Sequence, residues 1–415
     1  MNTADPKTGR HGAQTPFPGR LRQGQAQTSD WPEPDAAARQ HSLSLITSIR
    51  EKITAAGGSL SFHDYMQAAL YTPGLGYYAA GSSKFGAAGD FVTAPEISPL
   101  FADCLADAMQ PVLKARSQYS VLEAGAGSGI LAARLLQCWQ AQECLPQHYY
   151  ILELSADLRE RQRQQLEAHC PELLAKVQWL DTWPNNFEGI VLANELLDAM
   201  PVHRVHKREG RWYEQTVGFE QEGFNLHEQP LSDTLLQQQL AAIESEQPLP
   251  DDYLTEINLD AGQWIRSLGD NLRQGVVLLL DYGYPRSEYY HPQRQRGTLM
   301  CHYRHRAHDD PFVYPGLQDI TAHVDFTDIA DNALAAGFGV AGYTTQAHFL
   351  LDNGITQKLE QQQQYDEAAY QRQVSQVRQL TLPQEMGEIF KVMLLNKGSE
   401  VLPAGFSARD LRHQL

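Results

Sequence analysis

Apolar residues recur at helical spacing at Leu43, Ile46, Ile49 and Ile53, so ordered structure is expected to begin near Leu43 with a helix. Phe62, Tyr65, Met66 and Ala69 mark the apolar side of a second helix over residues 61–70. Glycines, aromatics and prolines then crowd residues 71–96, too irregular for long elements and of a kind that often carries function. A helix over 97–114 leads into alternating apolar runs and helical stretches. The runs at 121–123, 149–153, 177–180, 189–194 and 275–281 read as strands one to five. The fifth is unbroken, as the middle of a parallel sheet requires. This alternation predicts an α/β, doubly wound sheet with its ligand at the carboxyl ends of the strands.

Strands four and five are separated by a long α+β insertion. Residues 201–228 alternate polar and apolar positions around Glu209-Gly210 and Glu222-Gly223, which predicts a small antiparallel meander, followed by helices over 232–244 and 261–272. Residues 282–316 read as loop, residues 326–336 and 366–380 as helices, and 389–395 as a last apolar stretch. The glutamine run at 361–364 reads as a solvated helix face. The organisation expected is a disordered tail (1–40), an N-terminal helical cap or lid (41–118), the first part of the core (119–200), the insertion (201–273), the second part of the core (274–396) and a C-terminal tail (397–415).

The first strand ends in Glu123 and is followed by Gly125, Gly127 and Gly129. Alternating glycines permit a tight turn and let a ligand lie against the main chain. A dinucleotide fingerprint would place its third glycine at position 130, where Ile130 stands. The E-x-G-x-G-x-G pattern instead resembles the first motif of class I S-adenosylmethionine (SAM) methyltransferases.

Charge and cysteine usage narrow the field. Among 415 residues, 50 acidic against 33 basic ones leave a formal charge of −17, which disfavours nucleic acid and anionic membranes as partners. Five cysteines without a C-x-x-C pair read as reduced thiols rather than a disulfide frame or a zinc site. No stretch approaches the length of a membrane span. The first forty residues lack the apolar core of a secretory signal, and their acids and prolines spoil an amphipathic presequence, so a cytoplasmic location is expected.

Candidate chemistry sits at the strand ends. Glu153 is placed to accept both ribose hydroxyls of a nucleoside, or serves only as a helix N-terminal acid. Asp181, Thr182 and Trp183 end strand three, as an adenine-binding edge or a simple turn. Glu123 is positioned to meet an ammonium group. After strand four, Asn194, Glu195 and Asp198 offer an amide and two carboxylates, with Glu195 and Asp198 expected on one side of a helical turn. Paired acids there suit a guanidinium; the bland alternative is a capped turn with solvated acids. His323, within the segment 319–326, is a minor candidate for a base and more simply a structural histidine. His302, His305 and His308 with Asp309 and Asp310 read as a surface loop, and no metal is expected.

Five segments in order, at 89–98, 123–129, 193–201, 281–284 and 319–326, together resemble the MidA family of SAM-dependent methyltransferases, which includes the mitochondrial complex I assembly methyltransferase. The resemblance spans roughly residues 43–396. It implies a class I methyltransferase (Rossmann-like) core with an N-terminal helical cap and a long insertion, SAM as cofactor, and a protein arginine as acceptor, symmetrically dimethylated. It further implies that Gly125, Gly127, Gly129 and Glu153 hold the cofactor, that Asn194 and Glu195 lie nearest the substrate, and that Asp90, Phe91 and Thr93 belong to a lid. A small-molecule methyltransferase and a non-catalytic SAM-binding assembly factor are the competing readings.

Overall fold

A computed structural model describes residues 32–80, 93–221, 223–363 and 367–415. Its largest sheet contains β1 (Ser120–Ala124), β2 (Tyr149–Leu152), β3 (Val177–Leu180), β4 (Phe187–Asn194), β5 (Leu272–Tyr284), β6 (Gly339–Thr345) and β7 (Phe390–Lys397), with the short strand Val324–Asp325 beside the end of β5. The order is β6-β7-β5-β4-β1-β2-β3. Strands β5 to β3 pair in parallel, and β7 runs antiparallel to both its neighbours. This is the doubly wound α/β sheet of a class I methyltransferase core. Chain order reverses between β1 and β4, and a crevice opens at strand carboxyl ends where order reverses.

Strand alternation sorts the apolar residues onto two faces. Val121, Ile190, Leu192, Val276 and Leu278 pack against α3 (Pro99–Ala115) and α4 (Ile130–Ala141) on one side. Leu122, Val191, Ala193, Val277 and Leu279 pack against α6 (Leu259–Asn271) and α7 (Phe326–Ala335) on the other. Helix α5 (Ala156–His169) follows β2 and lies beside α4.

A second core joins segments far apart in the chain. Leu45, Ile49 and Ile53 of α1 (Ala36–Ala55) and Phe62, Tyr65 and Met66 of α2 (Phe62–Tyr71) pack with Val217 and Phe224 of the insertion, and with Cys301 and Ile320. The insertion forms the expected meander from His203–Arg208, Arg211–Glu220 and Gly223–Pro230. Its first turn has Glu209 and Gly210 both at positive φ (50° and 71°), as a two-residue hairpin demands. Two pairings are invisible to local patterns: Leu60–Ser61 adds to Arg211–Glu220, and Tyr253–Ile257 adds to His203–Arg208. Cap and insertion are therefore one packed unit.

Several expectations need correction. The first helix starts at Ala36, capped by the Asp35 side chain, rather than near Leu43, because three alanines and then Arg39, Gln40, His41 and Ser42 fill its first two turns without a large apolar residue to mark them. Residues 282–316 are not simply loop: Met300–Tyr303 pairs with Arg306–His308 and with Asp319–Thr321. His302, Asp309 and Asp310 thus belong to a hairpin and its flank, with His308 buried, rather than to a surface loop. The strand β6 and the helix Gln346–Asp352 lie outside the expected elements, and the helix Ile355–Gln363 carries the start of the glutamine run expected on a helix. Nor is 397–415 a loose tail, since Leu411 is buried and its N–H donates to the Tyr343 carbonyl.

Candidate active site

The crevice between β1 and β4 is a cavity of about 870 Å³. Its floor is the glycine turn joining β1 to α4. Gly125 and Gly127 have φ of +69° and +52°, and a Cβ on Gly125 would lie 2.8 Å from the Leu196 side chain. Only glycine reaches this backbone cheaply and leaves the cradle open. The residues present fit a nucleoside carrying a charged tail.

Two carboxylates flank the cradle. Glu123 is buried and accepts from the Tyr149 hydroxyl at 2.7 Å, and burial pushes its carboxyl up to about 7. Glu153, at the end of β2, accepts from the Ser155 N–H (2.9 Å) and the Gln162 amide (3.2 Å), and burial raises its carboxyl too. Its place on the cavity wall allows it to accept from ribose hydroxyls.

The far end of the cavity carries Asn194, Glu195 and Asp198. Glu195 does not open a helical turn: its φ is +51°, a left-handed conformation costing on the order of 1–3 kcal/mol. Its N–H donates to the Leu280 carbonyl at 2.8 Å, and its Oε1 accepts from the Ala94 N–H and the Asn194 amide, both at 3.1 Å. The next residues wrap a fifth carboxylate that sequence reasoning missed. Asp281 Oδ2 accepts from the N–H groups of Leu196, Leu197 and Asp198 at 3.2, 2.9 and 3.3 Å, and Oδ1 accepts from the Tyr282 N–H. Three consecutive N–H groups on one oxygen fix the turn that presents Glu195 and Asp198.

These acids crowd one another. Burial and then Asp198 push Glu195 up to about 8; burial and then Glu195 push Asp281 up to about 7. Burial and then Asp281 raise Asp198 as well. Meanwhile Asn194 Oδ1, Glu195 Oε2 and Asp198 Oδ1 are buried with no hydrogen-bond partner. Buried acceptors left unsatisfied are costly, and a donor-rich cation is their natural complement.

Of the other predicted residues, Thr93 lines the cavity, whereas Asp90 and Phe91 lie outside the described residues. Gly129 faces away: it caps α4 at φ +84°, and a Cβ there would sit 2.8 Å from Gln162 Cα, so it serves helix packing. Asp181, Thr182 and Trp183 are not on the wall. Asp181 points outward to Arg159 at 2.5 Å, and Trp183 packs against Trp264, which does line the cavity. His323 is also off the wall, between the rings of Tyr282 and Tyr284, and burial pushes its imidazole down to about 3. The wall also includes Tyr71, Tyr77, Tyr78 and Asp319. The tyrosine-rich run after residue 70 was the available signal for the first three. Among the described residues, no helix is long and apolar enough to cross a membrane.

Residues 100–344 match the model of a family of S-adenosyl-L-methionine-dependent methyltransferases. A methyltransferase-like protein from Burkholderia thailandensis, solved with S-adenosyl-homocysteine bound, superposes with a TM-score of 0.88 at 44% identity, covering 92% of this chain and 100% of that one. The mitochondrial protein arginine methyltransferase NDUFAF7 of Danio rerio is 27% identical over 400 residues, covering 87% of this chain and 89% of its own length. Its Drosophila melanogaster homologue is 26% identical over 403 residues, 88% of each chain.

Proposed function

The chain belongs to this family of S-adenosyl-L-methionine-dependent methyltransferases, and from that premise we propose that it methylates a terminal nitrogen of arginine in a protein acceptor. The observation carrying the reading is the set of buried, unpartnered oxygens on Asn194, Glu195 and Asp198 at one end of the cavity. A guanidinium has five N–H donors in a flat fork, no acceptor, and a charge that persists at neutral pH. It satisfies such a wall where a hydroxyl or a neutral amide would not. The names of the Danio rerio and Drosophila melanogaster relatives agree with this acceptor class.

The cofactor supplies an electrophilic methyl on a sulfonium centre. Gly125 and Gly127 would hold its backbone-facing side, Glu153 its ribose hydroxyls, and Glu123 its ammonium group. Glu195 and Asp198 orient the acceptor nitrogen and balance its charge. Burial holds the Glu195 carboxyl near 8 while the site is empty; a guanidinium bound beside it favours the ionised form, and the carboxylate then takes up the proton that the nitrogen releases. Asp281 keeps both acids in place through the backbone of the turn.

The resemblance to the MidA family extends the reading to symmetric dimethylation and to an acceptor connected with respiratory-complex assembly. Five free cysteines fit a reducing compartment, and the cytoplasm is our reading, although those relatives carry mitochondrial names; fractionation of a tagged chain tests it. For the activity, the purified protein is incubated with methyl-tritiated SAM and soluble protein from cells lacking its gene, and the protein is then hydrolysed. Labelled ω-N-methylarginine is the expected product. Label confined to another amino acid or to small molecules overturns the arginine reading.

A further inference from the structure

The acceptor end of the cavity contains a carboxylate and an aromatic pair contributed by neither the glycine turn nor the β4 turn. Asp319 is buried on the short strand Asp319–Thr321 and lines the cavity. Its Oδ1 accepts from the Tyr78 hydroxyl at 2.7 Å. Tyr78 stacks on Tyr71 with ring centroids 5.5 Å apart at 28°, and the Tyr71 hydroxyl donates to the Ala199 carbonyl at 2.9 Å. Two residues past Asp198's neighbour Ala199 the chain leaves for the insertion, yet Ala322 returns to donate its N–H to the Asp198 carbonyl at 3.0 Å. The segments bearing Asp198 and Asp319 are thus tied together beside the tyrosine pair. Asp319, Glu195, Asp198, Tyr71 and Tyr78 all line the same cavity.

An acid cluster alone would not identify a ligand. Here Asp198, buried and on the cavity wall, has an oxygen without a partner, and tyrosine rings flank the same end. Carboxylates in the plane of a cation and aromatic faces against it are the surroundings of a flat guanidinium rather than a compact ammonium. We propose that Asp319 is a third acceptor-binding carboxylate, set in place by Tyr78, and that the Tyr71–Tyr78 pair supplies the aromatic wall against which the acceptor guanidinium lies. Asp319 then touches substrate, while Tyr78 is also a positioning residue that ties the N-terminal cap to the acceptor site. This rests on the arginine reading above.

Asp319→Asn and Tyr78→Phe, compared with the unaltered chain, test the inference. Tritiated methylarginine formation is measured against increasing soluble acceptor protein, and S-adenosyl-homocysteine affinity is measured by calorimetry. Asp319→Asn is expected to raise the half-saturating acceptor concentration at least about ten-fold, as loss of a charge-assisted contact should, with cofactor-product affinity within about two-fold. Tyr78→Phe is expected to raise it about three-fold or more while the rate at saturating acceptor stays near that of the unaltered chain. Unchanged acceptor saturation in Asp319→Asn overturns the inference and leaves the arginine reading standing. Lost cofactor-product affinity in both variants also overturns it, by making the pair structural. If the unaltered chain forms no methylarginine, the arginine reading fails and this inference fails with it.

Discussion

Replacing Glu195 with glutamine separates the charge of this side chain from its shape. Glutamine can keep Oε1 in place to accept from the Ala94 N–H and the Asn194 amide, each 3.1 Å away. A bound guanidinium displaces the proton of Glu195 and leaves Oε2 an acceptor, whereas the glutamine amide at that place stays a donor facing another donor. Loss of a hydrogen bond to a charged group costs about 1.5–3 kcal/mol, and loss of a positioned proton acceptor about 10²–10⁴ in rate. Turnover should therefore fall roughly 10³-fold or more, with S-adenosyl-homocysteine affinity within about two-fold. A second readout needs no acceptor. The folded carboxyl keeps its proton up to about 8, whereas an ordinary one releases it near 4.5. The folded state thus binds more protons in that window, and Glu195 makes the protein lose stability as pH rises through it. From pH 5 to pH 9 the loss amounts to about 4 kcal/mol, which Glu195→Gln should remove. Thermal or urea unfolding of both proteins at pH 5, 7 and 9 measures the difference. Parallel stability curves, or turnover above a tenth of normal, would refute the reasoning.

Gly127→Val forces a β-branched residue to φ +52° on the cavity wall, and should weaken S-adenosyl-homocysteine binding at least about ten-fold by calorimetry. Glu153→Ala should weaken it about 10–100-fold through lost ribose contacts, with NAD failing to bind in either case. Asp281→Ala strips the acceptor from the N–H groups of Leu196, Leu197, Asp198 and Tyr282; about 2–4 kcal/mol of unfolding free energy and most turnover should be lost. His323→Gln, altering a ring packed between Tyr282 and Tyr284 off the cavity wall, should leave turnover within about two-fold. A ten-fold loss would return that histidine to the chemistry.

The central sheet and its cradle follow from local patterns in the chain. Continuous apolar runs such as 275–281 can be satisfied only by burial on both faces, and alternating glycines after a strand leave few backbone options. Glu123, Glu153, Asn194, Glu195 and Asp198 were legible for the same reason, since each lies at or shortly after the end of a strand whose carboxyl edge must meet the crevice. Contacts between segments distant in the chain set the rest. Gly129, at the N-cap of α4, packs on Gln162, and Asp181, just past β3, turns to Arg159 instead of the cavity. The left-handed Glu195 follows from Asp281, 86 positions later, gathering the N–H groups of the turn. Cap, insertion and the 300–321 strands form one core because Leu60–Ser61 pairs with Arg211–Glu220 and the helices α1 and α2 pack on Val217, Phe224, Cys301 and Ile320. No local period encodes such a pairing: a two-residue strand has no pattern to read. The Tyr78–Asp319 contact, 241 positions apart, exists only once that core has closed.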